Sequence, residues 1–402
     1  NARFTLVWCT PMSASSSASS SQTNSSKPKT LDFQQLEKKR ALVDSIKWKS
    51  DVNAFIKQYP VLVELILDFY HADKLFVARE RRQSLLEAIA THLSTLGSLP
   101  VEKSKSLIEK LQDMRSECET NELFCCLVNE SEEVDQLLKQ LVEDEGWELA
   151  ADTDNIKCHY RSEEGTPVHS LRIQGDMNVP AFNIMAIIKE IDQYHRWVPF
   201  LEESKVLLDL SKYRKAVYAR LGLTWPMSDR SLTLFGSGFD LLERDMVVII
   251  IRSFGEGQGD IEKVGGRHHE QLMAVRPKPN KNHVPIDVKF AGFLIIPKGK
   301  NKTRLVVIAN ADPQMSALPY WLLNFGQRKL GPMMFSKLEE IASNLKGTIY
   351  EERMTSQPEI YGEIKYRLAN LTNKQNEQQQ QQQQIIFNMF LLSQCNIIII
   401  IR

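Results

Sequence analysis

His269-Glu270 opens the zinc-protease pattern H-E-x-x-H, which needs a second histidine one helical turn later. That position holds Met273, so the ligand set fails. Gly255-Glu256-Gly257-Gln258-Gly259 follows a strand-like run. No helix-forming segment opens behind it to aim backbone N–H groups at a phosphate, so it reads as a flexible loop. There is no Walker A sequence, and Gly236-Ser237-Gly238 lacks the spacing of a nucleophile elbow. His195, beside Trp197, reads as a helix-end residue rather than a base. Six cysteines (Cys9, Cys118, Cys125, Cys126, Cys158, Cys395) show no metal-ligand spacing, and adjacent Cys125-Cys126 is poor geometry for one bridge. A reducing compartment is the natural reading. No catalytic set, metal or cofactor is therefore expected. Lys298, Lys300 and Lys302 sit on a hairpin tip. Lysines there contribute about 1 kcal/mol each beside an anionic lipid surface, or are simply solvated.

With 50 basic and 50 acidic residues, the 402-residue chain has a formal net charge of zero. No global field draws it to nucleic acid or to an anionic membrane. Residues 1–30 are a Ser-rich leader, read as disordered; Phe4 and Trp8 do not make a signal peptide. Residues 374–402 are a Gln-rich and then apolar tail. A membrane span takes ~20 apolar residues, and Asn388, Gln394 and Asn396 interrupt this run. A tail anchor is not the favoured reading; the expected location is cytoplasmic, with transient membrane contact.

The elements follow from periodicity. Residues 31–130 read as helices: Leu62, Leu65, Ile66 and Phe69 recur at helical spacing, as do Leu85, Leu86, Ile89, Leu93 and Leu96. This region is either a partner-binding bundle or a helical domain with a solvated face. Residues 132–145 make one more helix. The pattern then changes to strands around Asn155 and Gly165, and Pro180 starts a helix. After Trp197 the chain is nearly all β, at about 203–210, 213–221, 230–241, 246–252, 284–296 and 304–311, with a further strand expected near 269–275. Successive hairpins of this kind curl. Asp312–Gly347 then reads as a long amphipathic helix, its apolar face formed by Leu323, Leu330, Met334, Leu338, Ile341 and Leu345. Gly331-Pro332 should kink it.

These stretches, in this order, resemble the steroidogenic-acute-regulatory-related lipid-transfer (START) domain. Gly146-Trp147-Glu148-Leu149 with DNIKCHYR resembles its opening strands, and Tyr194-His195-Arg196-Trp197-Val198-Pro199 its Trp-centred helix end. Trp225-Pro226-Met227-Ser228-Asp229-Arg230, AGFLIIP (291–297) and ADPQMSALPYWLLNF (311–325) continue the match. The resemblance spans about residues 131–347, half of the chain, and leaves residues 1–130, the 348–373 extension and the tail unassigned.

The resemblance implies an α+β helix-grip fold, a curved antiparallel sheet wrapped around a long C-terminal helix, here preceded by an α-helical region. It implies a non-catalytic protein that holds one lipid and transfers it between membranes. The expected cavity residues are Val217, Ala219, Leu221, Val247, Ile249, Ile251, Val306 and Ile308 from strands, and Leu323, Leu330, Met334 and Leu338 from the final helix. The expected gate is Trp225, Met227, Trp321 and Phe325. Sterol-binding members are expected to carry a buried acid and a buried arginine; the corresponding positions here are Val217 and Gly236. A phospholipid, sphingolipid or acyl lipid is therefore expected before a sterol. The alternatives are a lipid sensor whose residues 31–130 bind a protein partner, and a cyclase or hydrolase on the same scaffold.

Overall fold

The computed structural model describes residues 35, 38, 51–98, 101–143, 145–153, 155–162, 165–223, 227–256, 266–315 and 320–373, with 375, 377, 380, 381 and 384 of the tail. Among the described residues, four helices with defined bounds precede the strands: α1 (Val52–His71), α2 (Leu75–Gly97), α3 (Val101–Thr120) and α4 (Glu122–Val142). Phe55, Tyr59, Leu62, Ile66 and Phe69 recur at steps of three and four and are all buried, which fixes the inner stripe of α1. Asp51 caps α1 by accepting from the Asn53 and Ala54 N–H groups. Asn121 does the same for α4 through Leu123 and Phe124.

The strands are β1 (Glu148–Thr153), β2 (Ile156–Ser162), β3 (His169–Met177), β4 (Leu201–Ser211), β5 (Arg214–Leu221), β6 (Arg230–Leu241), β7 (Met246–Ser253), β8 (Val284–Pro285), β9 (Asp287–Pro297) and β10 (Thr303–Asp312). They form one ten-stranded sheet in the order β1-β2-β3-β10-β9-β7-β6-β5-β4, with β8 paired to β6. Every neighbour pair on the main path is antiparallel. Helix α5 (Ala181–Lys189) crosses between β3 and β4. The chain is thus α+β, with the expected strand boundaries met within a few residues. One expected strand is corrected: His269–Val275 is a short helix, α6. Its buried Leu272 packs beneath β4–β6 residues such as Ala216 and Phe235, a contact made once per helical turn and invisible to an alternation count.

Alternation along each central strand divides the core in two. Val248, Ile250, Phe290, Leu294, Val306 and Ile308 point to the outer face and share one core with α1–α4. Val247, Phe293, Ile295 and Leu305 point to the inner face and share another with the C-terminal helices. The sheet is covered on both faces, so the first four helices are not a detached region. The boundary expected near residue 131 falls inside the continuous helix α4. From α4, Leu137 reaches Gly292 of β9, where a Cβ would sit 3.4 Å from its Cδ2 and 2.4 Å from the Ile249 carbonyl oxygen.

The expected long final helix is two: α7 (Tyr320–Arg328) and α8 (Leu330–Ser343). The break falls at Lys329 rather than at Gly331-Pro332, and Pro332 lies in the first turn of α8. A proline clashes with the carbonyl four residues earlier, so the helix yields one turn upstream of it. Gly331 brings α8 against the sheet: a Cβ there would lie 2.6 Å from Cys158 Sγ and 2.7 Å from Ile173 Cγ2. Helices α9 (Ile349–Ser356) and α10 (358–373) follow.

Candidate functional site

A cavity of ≈ 330 Å³ lies on the inner face of β4–β7, roofed by α5 and α10. Its size falls at the lower end of ligand pockets, which run ~300–1,000 Å³. The strand parity explains its lining. On β5 the inward positions are Lys215, Val217, Ala219 and Leu221; on β6 they are Leu232, Leu234, Gly236, Gly238 and Asp240. Val217 pairs with Leu234, and Gly236 with Ile251, so these walls are continuous across the ladders. Val247, Ile249 and Ile251 of β7 extend them. Met185 and Ile188 of α5 close the space from above.

Six of the expected cavity residues, Val217, Ala219, Leu221, Val247, Ile249 and Ile251, therefore line one space. Val306 and Ile308 do not. In the ladder Ile249 stands opposite Phe293, and Phe293 opposite Val307, so Val307 shares the inner face and its neighbours turn outward. They pack under the first four helices instead. Leu330, Met334 and Leu338 are corrected as well. Helix α8 lies over β2 and β3, where these residues pack with Cys158, Ile173 and Ile184, and none lines the cavity. The C-terminal helix that does reach it is α10, through Ile364 and Arg367. That segment carried no motif; the only signal was the spacing of Ile360, Ile364, Leu368 and Leu371.

Of the expected gate, Trp225 and the side chain of Trp321 lie outside the described residues, as does the side chain of the expected cavity residue Leu323. Met227 is half-buried. Phe325 of α7 packs on Phe200, with ring centroids 5.1 Å apart. Phe200 is 41% exposed and holds φ +64, an uncommon conformation for a bulky residue. Its carbonyl accepts from the Gly222 N–H, and Val198 and Leu201 beside it line the cavity. Sequence reading missed Phe200, because backbone strain has no sequence signature.

Polar groups sit at two places on the wall. At the first, Lys189 and Lys215 face both the cavity and an adjoining polar pocket of ≈ 350 Å³ that also holds Asp192, Lys205, Asp209 and Arg353. Lys215 Nζ donates to both Asp209 oxygens, at 2.5 and 2.6 Å. Lys189 Nζ donates to Gln357 Oε1 at 3.3 Å and lies over the Tyr361 ring. Burial, with the like charge of Lys215 adding to it, holds the Lys189 ammonium below its usual pKa despite the nearby Glu190. The Glu190 carboxylate is shared with Arg353 and the Tyr361 hydroxyl. At the second place, Asp240 and Arg367 form an ion pair at 2.9 Å. Burial alone would raise the Asp240 carboxyl, but Lys74 and Arg367 hold it below the carboxylate range.

The residues that carried the START resemblance are structural joints. Trp197 is 3% exposed and packs edge-on against Tyr194 and Phe293. Arg230 is buried and donates to the Ser228 and Pro313 carbonyls, tying the start of β6 to the approach of α7. His195 is exposed, its Nδ1 3.1 Å from the Asp192 carbonyl oxygen, and it lines neither the apolar cavity nor the polar pocket beside it. Among the described residues, no group of three or more His, Cys, Asp or Glu is placed to hold a metal, and no helix is long and apolar enough to cross a membrane.

No known family profile matches the chain, and no curated protein sequence matches it. Solved structures do. Human STARD10 is 18% identical, over 55% of this chain and 81% of that one, with a TM-score of 0.43. Human StAR-related lipid transfer protein 5 is 12% identical, over 54% and 95%, also at 0.43. A STAR-related lipid transfer protein fragment from Xanthomonas axonopodis is 17% identical, over 50% and 100%, at 0.39. All three carry the family name that the sequence motifs resemble. At such identities and TM-scores they carry no weight in the reading of the site, which stands on the geometry of the cavity.

Proposed function

We propose that this chain binds one lipid in the β4–β7 cavity and carries it between membranes without catalysis. The observation that carries the reading is the cavity itself: a largely apolar wall from three strands, roofed by helices, with Lys189, Lys212, Lys215, Asp240 and Arg367 as its charged lining residues. A solid β-rich core would have filled that space at crystal-like density. The hydrocarbon part would lie along β5–β7, where burial contributes roughly 25 cal/mol per Å². The polar head would lie where Lys189 and Lys215 open onto the polar pocket, since an unpartnered buried head costs several kcal/mol. Val217 and Gly236 supply no charge to the middle of the wall, which favours a phospholipid, sphingolipid or acyl lipid over a sterol. The Phe200–Phe325 contact beside the cavity is the proposed gate.

No catalytic role is proposed. Among the described residues that line the cavity there is no histidine or cysteine. The Ser204 hydroxyl donates to the Ile191 carbonyl, and the lining cations are ion-paired. A second reading, lipid sensing by the N-terminal helices, is favoured by one observation: Lys74, from those helices, touches the cavity-wall residue Asp240 at 2.6 Å. Native mass spectrometry of the purified full chain, with extraction of what co-purifies, tests the binding. Transfer between donor and acceptor vesicles separates a carrier from a sensor. A chain that captures no lipid from vesicles of any composition sinks the proposal.

A further inference from the structure

Part of the cavity lining comes from chain that lies beyond the helix-grip elements. Helix α10 buries Ile364, Leu368 and Leu371 and turns Arg367 into the cavity wall. Arg367 Nη1 lies 2.9 Å from Asp240 Oδ2, and Lys74 Nζ donates to the same oxygen at 2.6 Å. One turn back on α10, Glu363 accepts from Lys212 at 2.9 Å, and its other oxygen is 3.8 Å from Lys74. Lys74 itself is only 3% exposed and forms the elbow between α1 and α2.

The elbow is fixed on its other side too. Asp73, at φ +59, accepts from Arg214 Nε at 2.7 Å, from Arg267 at 3.0 Å and from the Ser211 hydroxyl at 2.7 Å. Arg214 also holds Glu130 of α4. Two residues of one turn thus join the N-terminal helices, the β4–β5 turn, β6 and α10. Little of this cluster is exposed. Breaking one contact leaves the remaining charges partly buried with fewer partners, which is costly. Ile364 and Arg367 both line the cavity, and Arg367 moves away only by releasing Asp240.

We propose, resting on the reading that the cavity holds a lipid, that α10 closes the side of the cavity away from the Phe200–Phe325 gate as a second closing element, and that Lys74 is its latch. Cavity opening is then coupled to the α1–α2 elbow. By linkage, anything that binds the N-terminal helices and displaces Lys74 changes lipid affinity, and lipid changes its affinity by the same factor.

The test uses the full chain loaded with pyrene-labelled phosphatidylcholine and mixed with excess unlabelled phosphatidylcholine vesicles. Glu363→Gln and Lys74→Met should release the probe on the order of tenfold faster, as truncation of a buried charge pair acts mainly on the off-rate. The double variant should fall short of the product of the two, because the residues share one cluster. Lys212→Gln perturbs the same cluster from its more exposed side and should also speed release, should Lys74→Met fold poorly. Lys365→Gln, exposed on the same helix, should stay within about twofold. Hydrogen exchange at the elbow should rise in Glu363→Gln. Wild-type release rates in folded Glu363→Gln and Lys212→Gln would overturn the latch and leave the lipid reading standing. A wild-type chain that takes up no labelled or natural lipid would overturn both.

Discussion

Gly236 offers a direct way to fill the cavity without touching its frame. It lies mid-strand on β6 and faces inward, beside Lys215 on β5 and Ile251 on β7. A Cβ at this position meets nothing nearer than the Ile250 carbonyl oxygen and Ile251 Cγ1, both at 4.0 Å. The Gly236→Phe side chain would therefore enter the void rather than a neighbour. Burying a phenylalanine contributes roughly 1.5–3 kcal/mol, and an aromatic in place of glycine adds up to ~1 kcal/mol of strand preference. Some of that gain is lost to ordering the ring and to imperfect fit. A net stabilisation of about 1–2 kcal/mol is expected for the lipid-free chain, a rise in Tm of roughly 2–8 °C for a domain of this size. Lipid capture should fall to background, because ring and hydrocarbon compete for one ≈ 330 Å³ space. The assay is thermal unfolding of delipidated protein together with bound lipid per chain after incubation with phosphatidylcholine vesicles. A stabilised Gly236→Phe chain that still carries lipid at the wild-type ratio would show that the ligand lies elsewhere, and the reading of this cavity would have to go.

Gly331→Ala should do the opposite of Gly236→Phe: its Cβ would meet Cys158 Sγ at 2.6 Å, so chemical denaturation should show a loss of about 1–3 kcal/mol. Leu338→Asp, at a position 1% exposed in the α8 core, should cost about 3 kcal/mol or more, whereas Glu340→Gln should stay within about ±0.5 kcal/mol; Glu339 is unsuitable as the silent control because it accepts from the Asn178 N–H at 2.7 Å. A fragment lacking residues 1–121 should be insoluble or unfold far below the full chain, because Val306, Ile308, Leu294 and Ile250 would lose the helices that cover them; a soluble fragment of wild-type Tm would refute the shared core. Burial pushes the Asp73 carboxyl up, but Arg214, Arg267 and the Ser211 hydroxyl outweigh it and hold the carboxyl below its ordinary range. Its contribution to stability is therefore present above the unfolded pKa of about 3.9 and lost as pH falls through the lower folded value. Urea midpoints should accordingly drop more steeply below pH 4 in wild type than in Asp73→Asn.

The sequence by itself determined most of the elements and their kind, the short helix at His269–Val275 and the break in the final helix excepted. Strand boundaries came from period-two alternation, helix faces from steps of three and four, and the lack of catalytic spacing from the residue types themselves. Local chemistry sets all of these, so local reading reaches them. Six cavity residues followed, because alternation along β5 and β7 places Val217, Ala219, Leu221, Val247, Ile249 and Ile251 on one face each. Which face, however, is a property of the ladder. Val306 and Ile308 alternate as cleanly as Val247 and Ile249, yet the pairing Ile249–Phe293–Val307 turns them to the other side. Tertiary structure also decided which helix closes the cavity. Leu330, Met334 and Leu338 have the apolar stripe that any gripping helix needs, but Gly331 lets α8 settle onto β2 and β3, and α10 is left to cover β4–β7. The ion cluster of Asp73, Lys74, Glu130, Arg214, Asp240, Glu363 and Arg367 had no sequence signature. Its members lie up to 294 positions apart, 73 to 367, and only the fold removes enough water around them for the charges to find one another.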